Sequence, residues 1–216
     1  MSTGDITDAS VDELQIRMED PAGQKFTESL CLDALNYAQK KTALFLHRNY
    51  LSELEVLTSA GDATSSKKDY NALEPLNGAE GVLEVYSADK SKYLKRTRVE
   101  EQKRTENTYL VGGATNLIYY LWGGDVWITT GSADESLQIY YLVTPAEMTT
   151  SVDPVLNASL HDIILKFAEA ILWTANNKLD RRISAYKDAV NQIKRLNDMA
   201  FGVEPKGIGT KSEEGN

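Results

Sequence analysis

Between Asp153 and Ala200 the chain reads as one amphipathic run. Leu160, Ile163, Ile164, Phe167, Ala168, Ile171, Leu172 and Ala175 recur at intervals of three and four. The stripe resumes at Leu179, Ile183, Tyr186, Val190, Ile193 and Leu196. That period is helical. Asp153-Pro154 offers an N-cap carboxylate followed by a proline at the first helical position, where its missing N–H costs nothing. Gly202 offers a stop, with Pro205 beyond it. One helix over this span would be about 70 Å long at ~1.5 Å per residue, against ~30 Å for the width of a small domain. It either projects or breaks at Asn176-Asn177, two adjoining poor helix formers. Both outcomes point to a structural role.

The rest of the chain divides around that run. Residues 1–9 are expected to be flexible. Ser10-Val11-Asp12-Glu13 has the form of a capping box, opening a short helix that ends near Asp20-Pro21. Thr27 caps a second helix, expected to run to about Asn49, with Leu30, Cys31, Ala34, Leu35, Ala38, Phe45 and Leu46 along one face. The helical part thus spans 10–57, and 58–79 reads as a loop. A β-rich insert follows over 80–145, then the long helix over 152–200 and an extended tail over 201–216. The fold class is α+β: a helical bundle with one long C-terminal helix plus a β-hairpin-rich insert.

Within the insert, NLIYYLWGGDVWITTG carries the sharpest local signal. Gly123-Gly124 suits a two-residue primed turn, in which both positions take positive φ. The register then pairs Trp122 with Asp125, Leu121 with Val126, Tyr120 with Trp127 and Tyr119 with Ile128. One face carries Leu117, Tyr119, Leu121, Val126 and Ile128; the other, with Ile118, Tyr120, Trp122 and Trp127, is apolar as well. A hairpin in a lone small domain wets one face, so Tyr120, Trp122 and Trp127 are expected at a subunit contact. Val82–Tyr86 and Leu137–Leu142 read as further strands, and Tyr93–Val99 as a charged edge strand.

Charge is unevenly placed along a chain of net charge -9. Residues 1–28 hold seven acids against two bases, residues 90–104 seven bases against two acids, and residues 178–195 six bases against two acids. Such patches suit head-to-side association of copies, with Lys95, Arg96 and Arg98 meeting acids of a neighbour. Simple solvation of the charges is the plainer alternative. The basic stretch KSKYLKRTRVEEQKR also raises direct nucleic-acid binding, but Glu100-Glu101 interrupt it within an acidic chain.

Chemistry is sparse. Two histidines, His47 and His161, lie far apart, and one cysteine, Cys31, falls on a helical stripe without a base nearby. No HExxH, CxxC, GxSxG or GxGxxG pattern occurs. The stretch TSAGDATSSKK lacks the glycine before its lysine that a phosphate loop needs. No cofactor, metal or enzymatic activity is expected. The first residues lack a signal-peptide pattern, and no apolar run approaches the ~20 residues needed to span a bilayer. No membrane partner is expected either.

Taken together, FTESLCLDALNYAQKK, IYYLWGGDVWITTGSADESLQIYYLVTPAEM, LHDIILKFAEAILW and RRISAYKDAVNQIKRL resemble the head-to-tail connector, or adaptor, proteins of tailed bacteriophages. The segment Tyr140-Tyr141-Leu142-Val143-Thr144-Pro145 resembles that family's strand signature. The likeness covers about residues 10–200, and departs from the family in its long insert over 50–80 and its basic strand. It implies a virion protein, present in the host cytoplasm during assembly. Copies, usually twelve, would form a ring between the portal at the capsid vertex and the tail or its stopper, extending the DNA channel. It further implies a C-terminal segment docking on the portal, here Val203, Lys206, Ile208 and Lys211. Double-stranded DNA would pass without specific binding, so a lining rich in acids is expected, with Asp5, Asp8, Asp12, Glu13, Glu19 and Asp20 as candidates. Another neck or tail-completion protein shares nearly all of these features, and a small-molecule enzyme domain is the remaining alternative.

Overall fold

A computed structural model of the chain describes residues 5–59, 61–63, 67–101, 118–129 and 135–202. The architecture is α+β, and the chain divides into two compact units, Met1–Tyr50 with Glu147–Asn216 and Leu51–Ala146.

The first unit is helical. Its described helices are α1 (Asp5–Arg17), α2 (Glu28–Phe45), α3 (His161–Ala175) and α4 (Leu179–Ala200). The expected long helix is therefore two helices packed on one another. The break falls at Asn176-Asn177 for a local reason. Asn177 takes the left-handed conformation, φ 55°. The Lys178 N–H then bonds to Trp173 O at 3.0 Å and the Asn177 N–H to Thr174 O at 3.1 Å. That 6→1 and 5→2 pair closes the helix end as a Schellman motif, with asparagine in the place glycine usually takes. Gly202, φ 68°, stops α4 as expected.

Asp153 does cap a helix, but not the one it precedes. Its Oδ1 accepts from the backbone N–H groups of Ile6 at 3.2 Å and Thr7 at 3.1 Å, at the start of α1. Those donors have no partner within their own helix, so a carboxylate there satisfies them and meets the positive end of the helix dipole. Such a cap contributes about 1 kcal/mol. Two expectations fall with it: Ser10 lies inside α1, where its Oγ donates back to Ile6 O at 2.7 Å, and helical structure begins at Asp5 rather than after residue 9.

Thr27 caps α2 as read, its side chain accepting from Leu30 N, although that helix ends at Phe45. α2 anchors the return of the chain from the other unit. Asn36 Nδ2 donates to Met148 O at 3.0 Å and its Oδ1 accepts from Met148 N at 2.6 Å. The fully buried Gln39 accepts from Val155 N at 3.0 Å. α3 is buried through Ile163, Ile164, Phe167, Ala168, Leu172 and Trp173, and packs against α1, α2 and α4. α4 meets the bundle chiefly through Ala185, Ala189 and Ile193, the two alanines being small enough to let the helix axes approach.

The second unit is two antiparallel-rich sheets around one core. In the first, β9 (Ser136–Leu142) is central, pairing with β1 (Glu55–Leu57), β2 (Gly61–Asp62) and β4 (Val82–Ser87), and β5 (Lys92–Tyr93) pairs with β4. The second runs β3 (Lys67–Asp69), β8 (Asp125–Thr129), β7 (Ile118–Trp122) and β6 (Lys95–Arg96). The β7–β8 register matches the expectation residue for residue, and Gly123 and Gly124 take φ 61° and 88°. Leu137–Leu142, however, joins the opposite sheet. Val82, Val85, Leu137, Ile139 and Tyr141 from one sheet meet Tyr119, Val126 and Ile128 from the other.

The sheet unit is larger than the expected insert. Residues 55–57, assigned to the helical part, and residues 61–62 and 67–69, assigned to a loop, supply edge strands. The basic edge strand is also divided. β5 and β6 join different sheets, with Leu94 buried between them, so the apolar residue turns inward where the chain crosses over.

Candidate interaction surfaces

The aromatic hairpin face is mostly occupied within its own unit. Tyr120 is only 5% exposed, its ring stacked on that of its cross-strand partner Trp127 at 6.1 Å and 6° between planes. The cross-strand position covers one ring with the other, so Tyr120 has no surface to give a partner. Trp127 is half-buried: its Nε1 donates to Trp122 O at 3.2 Å, and Lys67 Nζ lies 5.4 Å from its ring centroid. Lys67 is held there by Asp125 at 3.1 Å. Trp122 alone stands out, 62% exposed beside the glycine turn. Leu117 lies outside the described residues.

Lys95, Arg96 and Arg98 are all exposed. β6, which holds the first two, is the only parallel partner among the described strands and edges its sheet against β7. Arg96 reaches back to Ala79 O at 3.4 Å.

The six N-terminal acids separate by task. Glu13 pairs with Arg17 at 2.6 Å and Glu19 with Arg181 at 2.7 Å, so their charges are met inside the chain. Asp20 organises the turn after α1, accepting from the N–H groups of Gln24, Lys25 and Phe26 at 3.2, 2.7 and 2.7 Å. The Phe26 and Lys25 N–H groups hold its carboxyl below the usual carboxylate range. Asp8 and Asp12 remain exposed on α1, and with Glu28 they border an acidic recess. Asp5 opens α1. The tail residues Val203, Lys206, Ile208 and Lys211 lie outside the described residues.

Arg17 also ties α1 to α3, reaching Asp162 at 3.2 Å and Glu169 at 3.9 Å. Asp162 is held below its ordinary range: burial raises it, but hydrogen bonds from Gln192, Arg17 and Lys166 outweigh that. Both histidines and the cysteine have structural surroundings. His47 packs edge-on against Phe201 at 4.7 Å, and His161 Nε2 lies 3.2 Å from Leu156 O. The Cys31 thiol is buried and pushed up to about 11 by desolvation, with Asp20 adding to the shift. Among the described residues no group of three or more His, Cys, Asp or Glu could hold a metal ion, and no helix is long and apolar enough to cross a membrane.

Among the described residues, α4 also carries apolar side chains that the bundle leaves uncovered. Leu179, Ile183, Tyr186 and Val190 of α4 are 59%, 40%, 37% and 37% exposed. They lie roughly 100° around the helix from Ala185, Ala189 and Ile193, taking ~100° per residue. α4 therefore has an apolar arc wider than the bundle covers. Beside it on α2, Tyr37, Leu44 and Phe45 are also exposed. Between the two helices, floored by Phe167 and Ile171, runs a groove of about 490 Å³, and past Tyr186 a second of about 470 Å³ continues to Asn197. Lys41 stands among the rings of Tyr186, Phe167 and Tyr37 at 4.7, 5.3 and 5.9 Å. The sequence did carry a signal for this surface, the alanines at 185 and 189, which form a second stripe on the same helix. No family model matches the chain, and no curated protein is significantly similar to it in sequence.

Proposed function

We propose that the chain is a structural subunit of a tailed-bacteriophage virion, assembling with its own copies into a ring that joins the portal to the tail and extends the DNA channel. The reading rests on the resemblance of its helical and strand segments to head-to-tail connectors. The structural observation that supports it best is the Gly-Gly turn carrying Trp122, a large aromatic side chain 62% exposed, since aromatic anchors dominate interface cores. The exposed Lys95, Arg96 and Arg98 would meet acids of a neighbour. In this reading the tail over 203–216 docks on the portal, no cofactor is used, and no reaction is catalysed.

Electron-microscopy class averages of the purified chain, alone and mixed with its portal, test this. Rings around a central hole are expected. Single particles without rings in both samples would overturn the proposal. Sub-micromolar, sequence-selective binding of duplex DNA would instead favour a nucleic-acid-binding protein, because passage without reading implies affinity of roughly 10⁻⁴ M or weaker.

A further inference from the structure

The α2–α4 groove and the outer face of α1 are complementary in charge, and they lie on different sides of the helical unit. On α3, Asp162 and Glu169 face α1 through Arg17, whereas Phe167 and Ile171 line the groove, about 170° around at ~100° per residue. The groove is apolar through Phe167, Ile171, Tyr186 and Val190, with Ile183 exposed on the same face of α4, and it is bordered by Lys41, Arg182 and Lys194 against one acid, Asp198. An apolar groove with basic edges fits a helix face that carries acids beside an apolar side chain.

α1 is such a helix. Asp8, Asp12 and Ile16 recur at fours on its outer face, and Ile16 is 64% exposed, an apolar side chain with no place in its own bundle. The stripe from Asp8 to Ile16 is about 12 Å long, and Ile183 to Val190 spans about 10 Å, both at ~1.5 Å per residue. Within one chain the two surfaces cannot meet, because α3 stands between them.

We propose that the α2–α4 groove is the docking site for α1 of a second copy of this chain, with Ile16 entering beside Tyr186 and Asp8 and Asp12 meeting Arg182 and Lys41. The contact is heterologous: each copy gives α1 to one neighbour and its groove to another, so it propagates until the rotation closes or runs on as a filament. The inference rests on the ring reading for its closure, but not for the contact itself.

Paired cysteines separate the two claims. Cys31 is buried, so it does not compete in the folded chain. Under mild oxidation, Asp12→Cys and Ile183→Cys should each give little dimer alone, and a mixture of the two should give at least tenfold more. The double variant should give a covalent ladder whose top rung counts the copies. Dimers from Ile183→Cys alone in equal yield would mean a two-fold contact and overturn the inference. Rings in the electron microscope without any ladder would overturn it while leaving the ring reading intact. A ladder without rings would sustain the contact and remove the ring. Neither ladder nor ring would remove both.

Discussion

The helical unit closes around alanines where its last helix lands, whereas the sheet unit closes around tyrosines and branched aliphatic side chains. In the sheets, Tyr119, Ile139 and Leu137 are essentially inaccessible, and β9 hides every second residue from Leu137 to Tyr141. A two-residue period leaves each side chain a definite face, so a sandwich can sort its apolar residues completely. On α4 the small residues take the inside, and Leu179, Ile183, Tyr186 and Val190 are left outside. A helix with an apolar arc that wide has more to bury than one neighbouring face can accept. Spare apolar surface therefore collects on the helices, and the hairpin keeps only Trp122.

The comparison breaks first at the sheet core. Tyr119→Ala should destabilise the chain by about 3–5 kcal/mol, the range for removing a large buried aromatic side chain. Trp122→Ala, at the exposed turn, should stay within about 0.5 kcal/mol. Urea unfolding followed by circular dichroism reads both, and equal losses would show that the tip is part of the core.

The helical side is sharpened by the opposite change. Ala189 is fully buried where α4 meets the bundle, so Ala189→Leu should cost about 1–3 kcal/mol through overpacking. A neutral or stabilised variant in the same unfolding assay would mean that α4 is loosely seated.

A smaller effect tests how the helical unit is tied together across 146 residues of sequence. Asp153→Ala should cost about 1 kcal/mol by uncapping α1, and Asp153→Asn should cost less because an acceptor oxygen remains. Equal losses from both would mean that the negative charge, not the acceptor, is what matters there.

The smallest effect is a dependence on pH. Asp20 is held below its ordinary value by backbone N–H groups. Its contribution is therefore fully present above the unfolded pKa, near 4, and is lost as pH falls through the lower folded value. Asp20→Asn should be less stable than the parent at neutral pH and should converge with it in acid. A gap that persists unchanged into acid would remove the carboxylate from this role.

How far the fold was legible follows from the same contrast. The Gly-Gly hairpin could be read to the residue because a primed turn of two glycines admits one register, and Thr27 could be read because its cap is local. Asp153 could not: proline follows it as at a helix start, yet its partners are the N–H groups of Ile6 and Thr7, and no local pattern announces a cap supplied from so far away. The strands at 61–62 and 67–69 are too short and polar to show a period, and they exist because β9 and β8 have open edges. Tyr120, expected at a subunit contact, is covered within its own unit, whereas Leu179, Ile183, Tyr186 and Val190 of the α4 stripe are not. Periodicity says which residues share a face, but whether that face is covered depends on partners the period does not name. Trp122, by contrast, sits at the turn itself, where no strand neighbour lies beyond it.

The most direct test of the account is whether the exposed helical face holds copies together. Sedimentation velocity of the full chain should show a multi-copy species. Val190→Lys, which puts a base into a groove already edged by bases, should sediment as a monomer with unchanged far-ultraviolet circular dichroism. A parent chain that is monomeric at every concentration, or a variant that assembles as well as the parent, would contradict it.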